Sequence, residues 1–251
     1  NQGLIGGSRG PIDTDAYFGY LPSASCEYPK NSSLSLLNHV ALGVGAVTRG
    51  DTNVSAWTYW NLEDEFSPDA YPQGEMKYRT IDIPPGAPPD DAISEEDWIA
   101  EYSDTLKGVK PWIQFYSKKY PHRPLNITVT EESFAWSYGY AEDFVLFRFR
   151  IRNIGKRVLT SMYVGFNMQP QVRYVPDAST SGEVTGFLRD YSRAVAGSSC
   201  FFTDTMNIAW AASSDGIPLN GQWQTKPVRV GDYLFRSNRH VVGATVLDGA
   251  L

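Results

Sequence analysis

The chain reads as an all-β protein: an antiparallel β-sandwich, jelly-roll-like, with long loops and one short helix. Three observations predict this. In Phe144–Asn153, Val145, Phe147, Phe149 and Ile151 alternate with Arg148, Arg150 and Arg152, the period of two that gives a strand one buried and one wet face. Guanidinium groups on one side and aromatic or aliphatic groups on the other fit a sheet surface and no helix. Leu125, Ile127 and Val129 alternate with Asn126, Thr128 and Thr130 in the same way. Finally, aromatic residues make up 14% of the chain, beside 22 Gly and 16 Pro, a mixture that favours strands joined by irregular loops.

Taken in order, residues 1–35 are broken by Gly6-Gly7, Gly10-Pro11, Pro22 and Pro29 and read as an ordered N-terminal arm. The β-sandwich domain then spans 36–251. Residues 36–60 form a hairpin that turns at Arg49-Gly50-Asp51. The acidic, proline-rich stretch from Glu63 to Pro89 is a loop stiffened by polyproline geometry. Ser94–Tyr102 carries the helix, with Ser94 as cap and Asp97 at the capping-box position. Asn153-Ile-Gly-Lys156 joins the arginine-bearing strand to a second one. There Met162, Val164, Phe166 and Met168 alternate with Ser161, Tyr163, Gly165 and Asn167, and so short a turn implies an antiparallel pair. Residues 170–200 read as a long polar loop, and Met206–Ala212 and Val241–Val246 as strands. A last strand this near residue 251 makes the domain a candidate for truncation.

With 251 residues and 42% hydrophobic content the chain can bury a sizeable core. A net charge of −6 excludes nonspecific nucleic-acid binding, which needs clustered Lys and Arg. No run approaches the ~18 apolar residues of a membrane-spanning helix. The start at Asn1, without an apolar leader, is expected of a mature product freed of a signal peptide.

Five segments then resemble, in order, the N-terminal β-sandwich region of large bacterial secreted surface proteins, many of which end in a type IX sorting domain or an immunoglobulin-like module. They are Ser25–Lys30, Val44–Ser55, Ile99–Asp104, Ala135–Val145 running on to Tyr163–Phe166, and Thr205–Gly216. Together they cover most of residues 20–216. The resemblance implies an extracellular or cell-surface location and the sandwich architecture, and it transfers no catalytic set. Where relatives often carry closely spaced aspartates, this chain has Asn167-Met-Gln-Pro-Gln-Val-Arg173, and Gln and Arg cannot replace carboxylates around Ca²⁺.

Candidate chemistry is sparse. Gly6-Gly7-Ser8-Arg9-Gly10 fits a nucleophile-elbow pattern but lacks the strand and helix that it needs. His39, His122 and His240 sit in no zinc-binding spacing. No carboxylate pair can be placed across a cleft as a glycosidase requires. Asp13 and Asp15, or Asp90 and Asp91, are candidates for Ca²⁺; no other cofactor is expected. Cys26 and Cys200 could close one disulfide or stay as buried thiols. Trp57, Tyr59 and Trp60 lie together, as do Trp136, Tyr138 and Tyr140, and aromatics spaced by two on a strand share one face. There they would either fill the core or stack on sugar rings.

The leading expectation is therefore a non-enzymatic, secreted structural or adhesive surface protein that associates with itself or with other surface-protein segments. The alternative is a carbohydrate-binding module using those aromatics.

Overall fold

The computed structural model of the chain describes residues 4–5, 26, 34–58, 63–66, 76–88, 90–105, 122–174, 183–193, 202–213, 228–230, 233–235 and 241–247. It is all-β, and the described residues contain no helix, hence none long and apolar enough to cross a membrane. The chain divides into two compact units, Asn1–Ile5 with Ala41–Asn167, and Gly6–Val40 with Met168–Leu251. The arm expected over residues 1–35 falls almost entirely outside the described residues.

Two sheets build the first unit, which takes β2 from Ala41 onward and β9 up to Asn167. One carries β1 (Leu4–Ile5), β2 (Leu34–Thr48), β3 (Asp51–Thr58) and β4 (Glu63–Asp64) in that order, with β9 (Thr160–Tyr174) also on β2. The other runs β5 (Lys77–Arg79), β6 (Glu96–Ser103), β7 (Ile127–Ala135), β8 (Leu146–Asn153), each antiparallel to the next. Leu42, Val44 and Ala46 of β2 meet Ala100 and Tyr102 of β6 and Ile127 and Val129 of β7 in one buried cluster, which Phe66 and Leu125 complete. The two sheets thus face each other as layers of a sandwich.

The expected hairpin is present, with Thr48 opposite Asp51 across Arg49-Gly50. Both turn residues have positive φ, 54° and 87°, the twist-matched geometry of a type I′ loop. β7 alternates over Ile127–Thr130, with Ile127 and Val129 buried and the threonines partly so, and then buries both Glu131 and Glu132. In β8, Phe149 and Ile151 pack against the core, as their spacing predicts.

Five expectations are corrected. Ser94–Tyr102 is not helical. The Asp97 carboxylate does reach back to the Ser94 amide (2.9 Å), half of a capping box, but Ser94 Oγ donates to Asp97 and accepts from the Ala135 amide. The chain then extends as β6, hydrogen-bonded on both sides. Nine residues are too few for a self-supporting helix, and Trp98, Ile99 and Tyr102 suit a sheet.

The Asn153–Lys156 turn does not make a hairpin. Among the described residues β8 stays an edge of its sheet, while β9 crosses to the other, where Thr160 Oγ1 donates to the Val47 carbonyl (3.3 Å) and Gly165 lies beside Gly43. The turn is instead tied to Asn126, whose carbonyl accepts from the Ile154 and Gly155 amides at 2.9 and 3.1 Å.

The long loop of 170–200 gives way to the end of β9 and to β10 (Glu183–Arg193), and the 63–89 loop contains β4 and β5. Lastly, Val145 and Phe147 are exposed rather than buried.

In the second unit β10, β11 (Phe202–Ser213) and β14 (Val241–Thr245) form an antiparallel sheet. A small hairpin joins β12 (Val228–Val230) to β13 (Tyr233–Phe235). The final strand thus pairs within its own chain. Gly186 is needed opposite Trp210, because a β-carbon there would meet the indole at 2.5 Å.

Candidate functional site: an open aromatic row inside the sandwich

Strand register places the site. Tyr78, Trp98, Ser133 and Phe147 stand opposite one another on β5, β6, β7 and β8. The next rows on the same face are Ala100–Glu131–Phe149 and Tyr102–Val129–Ile151, since residues two apart on a strand share a face. Those two rows lie in or against the core. The aromatic row does not: Tyr78, Trp98 and Phe147 are 48%, 40% and 37% exposed. Tyr78 and Trp98 have ring centroids 4.9 Å apart, and Phe147 stacks on Phe149, which in turn meets Phe166 of β9 at 5.1 Å. The inner face of this sheet is therefore closed at one end and open, with its aromatic groups in water, at the other. Three inter-strand steps make the row roughly 14 Å long.

Glu131 sits one row behind. Its carboxylate is buried and accepts from the Tyr102 hydroxyl at 2.9 Å. Burial raises the carboxyl above its ordinary range, with the Tyr102 hydrogen bond opposing. Burial first, and then the Glu131 charge, push the Tyr102 hydroxyl far up, so it stays a neutral donor.

The opposite face carries a second charged group. Glu132, also buried, accepts from Arg148 Nε (2.7 Å) and Nη2 (3.0 Å) and from Arg150 Nη2 (2.7 Å). The hydrogen bond from Arg148, ahead of that from Arg150, holds its carboxyl below the usual carboxylate range. The Arg148 guanidinium also lies 5.2 Å over the Phe134 ring.

One cluster in the sandwich has the residue types of a hydrolase. Ser55 Oγ is 2.6 Å from Asp104 Oδ2 and 3.1 Å from His122 Nε2. The Ser55 hydroxyl donates to the Asp104 carboxylate, and the role of His122 Nε2 toward Ser55 follows from the imidazole tautomer. Asp104 further accepts from the Leu125 and Ile127 amides at 2.6 and 2.8 Å. The cluster ties β3 to the segments that follow β6 and precede β7.

The residues singled out from sequence fare unevenly. β7 ends at Ala135, so Trp136, Tyr138 and Tyr140 occupy a turn rather than a strand. There the Tyr138 carbonyl accepts from the Ala141 and Glu142 amides, Trp136 packs on Phe144, and Tyr138 stacks on Tyr140 at 5.6 Å. Tyr140 is 83% exposed. Trp57 lies on β3 with its side chain outside the described part; Tyr59, Trp60, Asp13, Asp15 and Cys200 lie outside the described residues. Cys26 is exposed. Asp90 faces Arg79 at 3.8 Å, and no group of three or more metal-ligating side chains occurs among the described residues. The sequence pattern puts Trp98 on a helix, Tyr78 in a loop and Phe147 on the buried face of its strand, so it does not bring the three together.

Compared with known proteins, no family model matches the chain, and neither a curated protein nor a solved structure does.

Proposed function

We propose that the chain is a non-enzymatic structural or adhesive protein of a secreted, cell-surface kind, which holds copies of itself or other surface-protein segments through exposed aromatic side chains. The observation that supports this is the row Tyr78–Trp98–Phe147, left in water on the face that elsewhere forms the core. Exposed aromatic side chains on one face, with Ser133 between Trp98 and Phe147, offer apolar surface of the kind found at association sites, and aromatic side chains dominate interface energetics. The resemblance of Ser25–Lys30 through Thr205–Gly216 to bacterial surface proteins points the same way. Light scattering at rising concentration tests it: the chain should associate, and Trp98→Ala with Phe147→Ala should suppress association while near-ultraviolet circular dichroism stays native. A wild-type chain that remains monomeric and binds no surface-protein segment ends the reading.

A second reading, carbohydrate binding, is favoured by the Tyr138–Tyr140 stack on its exposed turn. Paired rings in water offer a flat apolar face to a sugar. A glycan array should then show binding that Tyr140→Ala and Trp136→Ala abolish. Silence across the array, or binding indifferent to both changes, removes it.

A further inference from the structure

We propose that the edge of β8 left unpaired among the described residues takes an added strand from another polypeptide, one that alternates acidic and apolar residues. β8 closes its sheet opposite β5, and β9, which sequence pattern would have set beside it, pairs with β2. Among the described residues, its outer edge is therefore unpaired. From Leu146 to Asn153 it contains neither Pro nor Gly, and its register with β7 is unbroken. Such an edge offers its alternate amides and carbonyls to an incoming strand.

The two faces of the edge specify the guest. On one, Phe147, Phe149 and Ile151 run toward Phe166 of β9, and apolar side chains would lie beside them. On the other stand Arg148, Arg150 and Arg152, facing Glu132, Thr130 and Thr128 on β7. Arg148 and Arg150 share the one carboxylate of Glu132, and Arg152 has no ion pair among the described residues. Three guanidinium groups against one carboxylate leave excess positive charge in a chain whose net charge is −6. A second β8 in antiparallel register would set arginine against arginine, which opposes self-pairing. Acidic residues directly across are attractive. The surface shares Phe147 with the Tyr78–Trp98–Phe147 row, but its backbone edge and its arginines lie outside that row, so the Arg152 variants test it apart from what the row binds.

The test uses the full chain with synthetic octapeptides of alternating Glu and Val, or Lys and Val, followed by fluorescence anisotropy. The acidic peptide should bind saturably, weaken as salt rises, and exceed the basic one by about tenfold or more. Methylating the amides of one alternate set of its residues should abolish binding, and methylating the other set should not, because only one set faces the edge. Arg152→Glu should lower affinity by about tenfold and Arg152→Gln by less, with native circular dichroism in both. Equal binding of the two peptides, indifference to Arg152→Glu or to which set is methylated, or no binding at low salt overturns the proposal. So does a dimer of the chain that Arg152→Glu abolishes without any peptide bound.

Discussion

The Tyr102 hydroxyl donates to the Glu131 carboxylate at 2.9 Å inside an otherwise apolar core. A carboxyl so placed is satisfied by a single donor among the described residues. Its charged form is the costly one. The adjoining row of Tyr78, Trp98 and Phe147 is where the same face opens to water.

That placement makes stability depend on pH in a stated direction. The folded-state value of Glu131 is raised, so the folded protein holds the proton more tightly than the unfolded chain, whose carboxyl titrates at about 4.3. Stability is full below that pH and is lost as pH rises through the folded value. Glu131→Gln, which keeps an acceptor for Tyr102, removes the dependence. The Tm difference between Glu131→Gln and wild type should grow from pH 4 to pH 8, measured by thermal unfolding, and a difference flat across that range refutes the assignment.

Glu132 behaves oppositely. Its folded value is lowered by Arg148 and Arg150, so its contribution is present above the unfolded value and lost as pH falls through the folded one. Glu132→Ala should cost about 1–2 kcal/mol at pH 7, discounted because both arginines are half exposed or more. Arg148→Ala should cost more than Arg150→Ala, since only Arg148 makes two hydrogen bonds and lies over Phe134. Urea unfolding of the three variants ranks them, and equal costs for the two arginines contradict the geometry.

Asp104 accepts from the Leu125 and Ile127 amides and from Ser55 while fully buried. Asp104→Ala orphans all three donors and should cost about 3 kcal/mol or more. Ser55→Ala, which leaves both amides satisfied, should cost about 1 kcal/mol. If Ser55→Ala proved the more damaging in denaturant titrations, Asp104 would not be the centre of the tie.

Arg49 occupies a position of positive φ in the two-residue turn. Arg49→Asn should stabilise the protein by about 0.5 kcal/mol, because Asn tolerates that conformation better, and Gly50→Ala should destabilise it by about 1 kcal/mol. Matched shifts of Tm in those directions confirm the turn type.

How far the fold could be read from the chain differs element by element. Where side-chain rhythm is strong, as in Ile127–Thr130, or a short turn fixes the register, as around Arg49-Gly50, the strands fall where expected. Ser94–Tyr102 carries a real N-cap contact, yet it becomes β6, because a local preference of a few tenths of a kcal/mol per residue yields to hydrogen bonding by two neighbouring strands. β10 was hidden in a Gly- and Ser-rich stretch whose pairing with β11 is a long-range matter. The aromatic row was illegible for the same reason, since Tyr78, Trp98 and Phe147 are distant in sequence and meet only through register.

The all-β class, the hairpin and the inward rhythm of Ile127 and Val129 were written locally, in period and turn chemistry, which act within a few residues. Whether β9 joins β8 or crosses to β2, and hence whether the β8 edge is left free, depends on burying Met162 and Leu159 against the shared core. That choice is made by apolar surface drawn together from distant parts of the chain, and no local pattern encodes it.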